Sequence, residues 1–316
     1  MTRMPRPVSP DRRGIRAFVH LLHRFQACWT SRSSPRYSMS RYRLRSCLPR
    51  LKALSLSISL LVSLMSAPVS QAAERWQRAD VLTDSFVDVA LKREYQPGSS
   101  ASLVRWQAPI KVRVDSQLGN SRMQRQMSEV QFRHLAAITG QPLSFVSSAR
   151  EANLRIAFIA RDHMTREATA YVGKQQAATP GMRKALREGV CLTLFKTGAD
   201  QAIASGLILI PVDYARQKAR LVDCVVEETA QLMGLPNDSD RVFPSIFSDV
   251  TVDHWLSPLD YVLLKMLYAP ELSPGMSAEQ VRAALPAVIQ RLAEQGELSH
   301  AIRRVRRDSL REWAGE

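Results

Sequence analysis

Residues 227–238 run Glu227-Glu228-Thr229-Ala230-Gln231-Leu232-Met233-Gly234-Leu235-Pro236-Asn237-Asp238. This stretch starts inside a helix and ends outside one. From Gln217 to Met233, Leu221, Val225, Thr229 and Leu232 lie along one side at helical spacing, and Gly234 followed by Pro236 stops the pattern. Glu227, Glu228 and Gln231 therefore sit in the last turns of a long helix, and Asn237 and Asp238 sit in the turn after it.

Working outward, the hydrophobic period changes repeatedly. Ile110 to Asp115 alternates as a half-buried strand. Met123 to Ile138 is an amphipathic helix closed by Thr139-Gly140. Leu143 to Val146 and Ala152 to Ile159 are further strands, a polar, helix-prone excursion follows, and Val190 to Phe195 and Gly206 to Val212 are two more apolar strand-like runs. Upstream, Ala79 to Tyr95 has helical spacing ended by Gln96-Pro97-Gly98, the pattern of a lid or brace. Downstream, Ser277-Ala278-Glu279-Gln280 forms a capping box, Val281 to Leu292 has core spacing, and Leu298 to Trp313 carries Arg303, Arg304, Arg306, Arg307 and Arg311. Such a basic run is most often a solvated helix or a frayed tail. The expected class is α+β, or mixed α/β. The expected organisation is a leader over 1–73, an N-terminal helical brace over 74–105, a central domain over 106–276 and a C-terminal helical extension over 277–316.

The net charge of +15 comes mostly from the leader. Residues 1–73 hold 13 Lys and Arg against the single acid Asp11, leaving 31 basic and 28 acidic residues and a net charge of +3 in the remainder. That balance removes the case for nucleic acid as a partner. Arg41, Arg43, Arg45, Arg50 and Lys52 precede an apolar run from Ala53 to Met65, and small residues follow to Ala73. This three-part order is that of a secretory signal peptide cleaved after Ala72 or Ala73, with Met39 a candidate start. The apolar run is shorter than the roughly 20 residues that cross a bilayer, so no permanent membrane span is expected. The expected location is periplasmic or secreted. Past the leader two cysteines remain, Cys191 and Cys224. In an oxidising compartment they form a disulfide closing a loop of about 34 residues, worth roughly 3 to 4 kcal/mol on the chain-entropy model; the alternative is two buried thiols.

The spacing from Glu227 to Asp238 resembles the extended metzincin protease motif H-E-x-x-H-x-x-G-x-x-H-D. Glu227, Gln231 and Asn237 take the three zinc-histidine positions, Glu228 that of the general base, and Gly234 and Asp238 the glycine and the trailing acid. Ser245-Ile246-Phe247-Ser248 resembles the Met-turn, with Phe247 in place of Met, and the segments Trp106 to Val114, Thr139 to Val146 and Ala152 to Phe158 resemble those of the metzincin upper sheet. A more specific resemblance is to a proteobacterial family of unknown function, DUF2927. It rests on the Glu-Glu, Gln and Gly-Leu-Pro-Asn-Asp pattern of Glu227 to Asp238, the Ser-Ile-Phe turn at Ser245 to Phe247, and the Tyr-then-Pro-Gly-Met ending of Tyr268 to Met276. It implies that the absent histidines are the family's habit, and it brings no activity with it.

Catalytic zinc takes three good donors, usually imidazole nitrogens at about 2.0 Å. One carboxylate and two neutral amides suit a divalent cation such as Ca²⁺ or Mg²⁺ better, and hold it weakly. The other reading is a polar cluster that ties the helix to the following turn. No cofactor and no metal are expected from these residues. His134, His163, His254 and His300 lack the i, i+4 spacing of a helical metal pair, and only His254 lies near the cleft by sequence. There is no Gly-x-Ser-x-Gly elbow. Two expectations follow: a non-catalytic module binding an envelope peptide or polymer, or a hydrolase that uses Glu228 without zinc.

Overall fold

Leu154, Ile156 and Phe158 alternate with Ala157 and Ile159 along one strand, and all five are buried, so the sheet that holds them is covered on both faces. The computed structural model describes residues 74–94, 101–248, 250 and 254–316; the leader expected over 1–73 lies outside them. Six strands form one sheet: β1 (Arg105–Trp106), β2 (Ile110–Ser116), β3 (Leu143–Phe145), β4 (Leu154–Ile159), β5 (Leu192–Thr197) and β6 (Ala202–Pro211). β3, β2, β4 and β6 lie side by side and parallel, and β1 joins the start of β6, also parallel. β5 alone is antiparallel. It pairs Leu192 with Leu209 and Phe195 with Gly206. Because Gly206–Leu209 of β6 also pair with β4, β5 must lie on the opposite side of β6, as an edge strand. The architecture is mixed α+β with a largely parallel sheet.

The helices divide between the two faces. Against one face pack α2 (Ser121–Thr139) and helices further along the chain, on which α1 (Ala79–Ala90) rests in turn. Against the other, α3 (Met164–Val172), α4 (Lys174–Ala177) and α5 (Pro180–Glu188) form the polar excursion. Met164, Ala168 and Ala185 meet Ala157, Ile159, Leu207 and Leu209 there. After β6 come α6 (Val212–Gln217), α7 (Leu221–Leu232), α8 (Pro258–Leu267), α9 (Ala278–Glu294), α10 (Glu297–Arg306) and α11 (Leu310–Trp313). The larger core runs unbroken from Trp76 through Phe86, Phe132, Phe158 and Phe247 to Leu310. The N-terminal helix and the C-terminal extension thus share one core with the central segment. The basic tail is docked, with Ala301, Val305 and Leu310 buried, where a solvated or frayed run was expected. Among the described residues no helix is long and apolar enough to cross a membrane.

Two helices differ from their expected lengths. The helix expected from Ala79 to Tyr95 stops at Ala90, because its last carbonyls find other donors: the Asn237 side-chain Nδ2 donates to the Asp88 carbonyl at 2.9 Å and the Asn237 backbone N–H to that of Val89 at 3.2 Å. The helix expected from Gln217 starts four residues later, since a separate helix, α6, ends at Gln217. Ala219 turns left-handed at φ 56°, and α7 begins only at Leu221. The capping box at Ser277 is formed as expected, its hydroxyl accepting from the Gln280 N–H at 3.2 Å.

The C-terminal end of α7 is held from three sides. Trp106 Nε1 donates to the Leu232 carbonyl at 2.9 Å, and the Tyr268 hydroxyl donates to that of Met233 at 3.0 Å. Gly234 then takes φ 123°, where a Cβ would stand 2.2 Å from the Val104 carbonyl oxygen. Neither the conformation nor the space admits another residue. Gly234→Ala is expected to destabilise the fold by about 2–4 kcal/mol. Urea denaturation checks this, and an unchanged midpoint would show that the approach of β1 to α7 is not a constraint.

Candidate functional site

α7 carries Glu227, Glu228 and Gln231 on the side that faces β5. Between them opens a cleft of about 750 Å³, walled by β5 and Val190, by α4 and α5, by Arg93 and Glu94 past the end of α1, and by Pro236, Asp238, Ser239 and Asp240 past the end of α7. The two long walls are joined at one end. The sulfurs of Cys191, just before β5, and Cys224, on α7, stand 2.12 Å apart with their Cα atoms 5.8 Å apart, the spacing of a disulfide. On the same pair of elements, the Thr193 hydroxyl donates to the Glu228 carbonyl at 2.9 Å.

The carboxyl of Glu228 is the most unusual group in the cleft. The residue is 5% exposed, and its Oε2 has no hydrogen-bond partner. Burial pushes its pKa up to about 8, the side chain of Thr193 opposes, and the charges of Glu94 and Asp238 add to the rise. Glu227 is also raised well above the usual carboxylate range, by burial first and then by Asp238 and Glu228, with Arg220 working against the rise.

The residues at the ligand positions do not converge. Arg220 places its guanidinium 3.2 Å from Glu227 Oε2 and 2.5 Å from Asp223, and His254 Nδ1 lies 2.8 Å from the other oxygen of Asp223. Gln231 Nε2 donates to Asp238 Oδ1 at 2.9 Å. Asn237 points away, its Nδ2 donating to the carbonyls of Asp88 and Asp238 at 2.9 and 2.8 Å. The three positions therefore do not fit a catalytic zinc: one donor already faces a cation, one is tied to an acid, and one serves α1. Among the described residues no group of three or more His, Cys, Asp and Glu is placed to hold a metal ion.

Ser245 and Phe247 do not line the cleft. Asp260, fully buried, accepts from the Ser245 hydroxyl at 2.5 Å, from the Ile246 N–H at 3.0 Å and from the Ser257 N–H at 2.7 Å. Burial raises its pKa to about 6 against the pull of those hydrogen bonds. Phe247 is wholly buried, and its carbonyl accepts from the Ser239 N–H at 2.7 Å, closing the loop that leaves α7. Of the ion network of Arg220, Asp223 and His254, only His254 was noted in the sequence, as lying near the cleft. Its signal was present: Arg220, Asp223 and Glu227 fall at i, i+3 and i+7 on one helical stripe.

A family model described as a protein of unknown function (DUF2927) matches residues 79–287. The chain belongs to the DUF2927 family. The DUF2927 segment opens with the first residue of α1 and ends inside α9, so it includes both walls of the cleft, the disulfide-forming pair and the Asp260 turn. α10 and α11 lie beyond it. Nothing among curated proteins or solved structures matches the chain.

Two predictions follow from this geometry. The folded protein keeps Glu228 protonated far above the usual 4.5. Its native state thus holds a proton that the unfolded chain releases, and this contribution, complete below about pH 4.5, is lost as pH rises through about 8. Urea unfolding at pH 5 and pH 8 is expected to show a smaller loss of stability with pH in Glu228→Gln than in the wild type; equal losses would mean that the carboxyl is ionised throughout. Removing the Cys191–Cys224 link, whose ends are 33 residues apart, is expected to cost roughly 3–4 kcal/mol. Comparing denaturation of oxidised protein with that of a Cys191→Ser, Cys224→Ser double variant measures it.

Proposed function

We propose that the protein is an exported envelope protein of metzincin-like architecture, and that its cleft holds an extended peptide or envelope polymer without cutting it. The observation that carries this reading is the pairing of an edge strand with a protonated acid. β5 has one free side along the cleft, where an extended chain can add backbone hydrogen bonds, and Glu228 stands opposite with an unpartnered carboxyl oxygen. A neutral carboxyl both donates and accepts, and so suits a peptide or amide-bearing polymer. The metzincin-like part is supported by the order of elements: strand, helix, parallel strands, antiparallel edge strand, then the helix bearing the motif. Export is supported by the three-part leader and by the disulfide-spaced cysteines.

One observation favours a second reading. A carboxyl with a pKa of about 8 is protonated at neutral pH and could serve as a general acid, which makes a zinc-independent hydrolase the alternative.

The mature chain and its Glu228→Gln variant would be incubated with a fluorescein-labelled unfolded casein and with purified cell-wall polymer. Binding would be followed by anisotropy and sedimentation, and products by mass spectrometry. The binding-module reading expects retention of one probe without fragments, and a several-fold change in affinity in the variant. Fragments formed by the wild type and absent with the variant would establish the hydrolase instead, and failure to retain either probe would overturn both.

A further inference from the structure

On the far side of α7 from the cleft lies a second, smaller cavity of about 130 Å³, closed by α2, the entry to α8, α10 and α11. Val226 of α7 forms part of its wall, together with Val305 and Leu310, and all three are buried. The polar part of the lining is unlike that of an ordinary core void. Gln131 and His134, one helical turn apart on α2, are 1% and 3% exposed, and both Nε2 atoms have no hydrogen-bond partner. The Nε of Arg311 is a third buried nitrogen without one.

A buried polar group left unpaired costs about 1–3 kcal/mol, and native proteins rarely leave one. The charges point the same way. Among the described residues neither Arg306 nor Arg311 takes part in an ion pair, whereas Arg304 nearby is matched by Glu297. No acidic side chain lines the cavity. Burial lowers the pKa of His134 to about 4 against the raising effects of Asp308 and of the Val305 and Arg307 backbone, so its ring is neutral at pH 7. A guest in this space thus meets amide and guanidinium nitrogens at one end and aliphatic side chains at the other. The volume approaches that of cavities of roughly 150 Å³ that admit benzene.

We infer that this cavity is a binding site for a small carboxylate with a compact apolar body, of about the size of benzoate. The carboxylate lies between Arg306, Arg311 and the Gln131 amide, and the apolar body lies against Val226, Val305 and Leu310. Bidentate guanidinium recognition favours a planar carboxylate over a hydroxyl or an amide. The site is separate from the cleft, lies partly outside the DUF2927 segment, and does not depend on what the cleft binds.

The test uses the full mature chain and three probes: benzoate, its neutral isostere benzamide, and inorganic phosphate, each titrated by calorimetry and by melting temperature. Benzoate is expected to bind saturably at one site and to raise the melting temperature. Benzamide is expected to bind at least tenfold more weakly, and phosphate to leave the melting temperature unchanged. Arg306→Ala with Arg311→Ala should weaken benzoate at least tenfold, and Gln131→Leu is a second, independent variant expected to weaken it as well. No saturable response to benzoate would overturn the proposal and leave a cavity filled with water only. So would equal binding of benzamide, a preference for phosphate, or benzoate affinity unchanged in the arginine variant.

Discussion

The arrangement depends on where α7 ends. At Gly234 the backbone passes the Val104 carbonyl so closely that no side chain fits, while Trp106 and Tyr268 take the carbonyls that the helix leaves open. A helix end buried in this way has no freedom to slide or rotate, because each displaced carbonyl would lose its only donor. The orientation of Glu227, Glu228 and Gln231 towards β5 is thus set at the opposite end of the helix from Arg220. The turn that follows is held in the same manner by Asp260, whose buried carboxyl gathers the Ser245 hydroxyl and two backbone N–H groups.

Given that frame, the chemistry of the cleft is decided by which acids have a counter-charge. Asp223 lies against both Arg220 and His254, and Glu227 shares Arg220 at a longer distance. Glu228 has burial and neighbouring acids on one side and only a hydroxyl and a shared guanidinium on the other, and so it keeps its proton. The adjacent Glu227 is shifted in the same direction, by burial and by Asp238 and Glu228, with Arg220 working against the rise. The cleft presents a neutral donor beside a compensated ion network.

Much of this was legible in the chain. The strand at β2, the left-handed stop of α2 at Gly140 and the Ser277 capping box are local patterns, and each appears where its residues put it. The family was legible too, from a run of residues around Gly234. Other features were not, for reasons of distance. Asn237 shares the spacing of a ligand, but its partner Asp88 lies 149 residues away on a helix whose end it completes. Nor does periodicity reveal that the helix begins at Leu221, since the break depends on a left-handed Ala219, a residue with no preference for that conformation. The cavity beside α2 was equally hidden, because α10 and α11 read as a solvated basic run and in fact dock through Ala301, Val305 and Leu310.

The bond-forming pair Cys191 and Cys224 joins the strand that forms one wall of the cleft to the helix that forms the other. Jaws that close on a guest need a seam about which they can swing, and here the seam is stitched. The width between strand and helix is therefore held at that end by a covalent span as well as by packing.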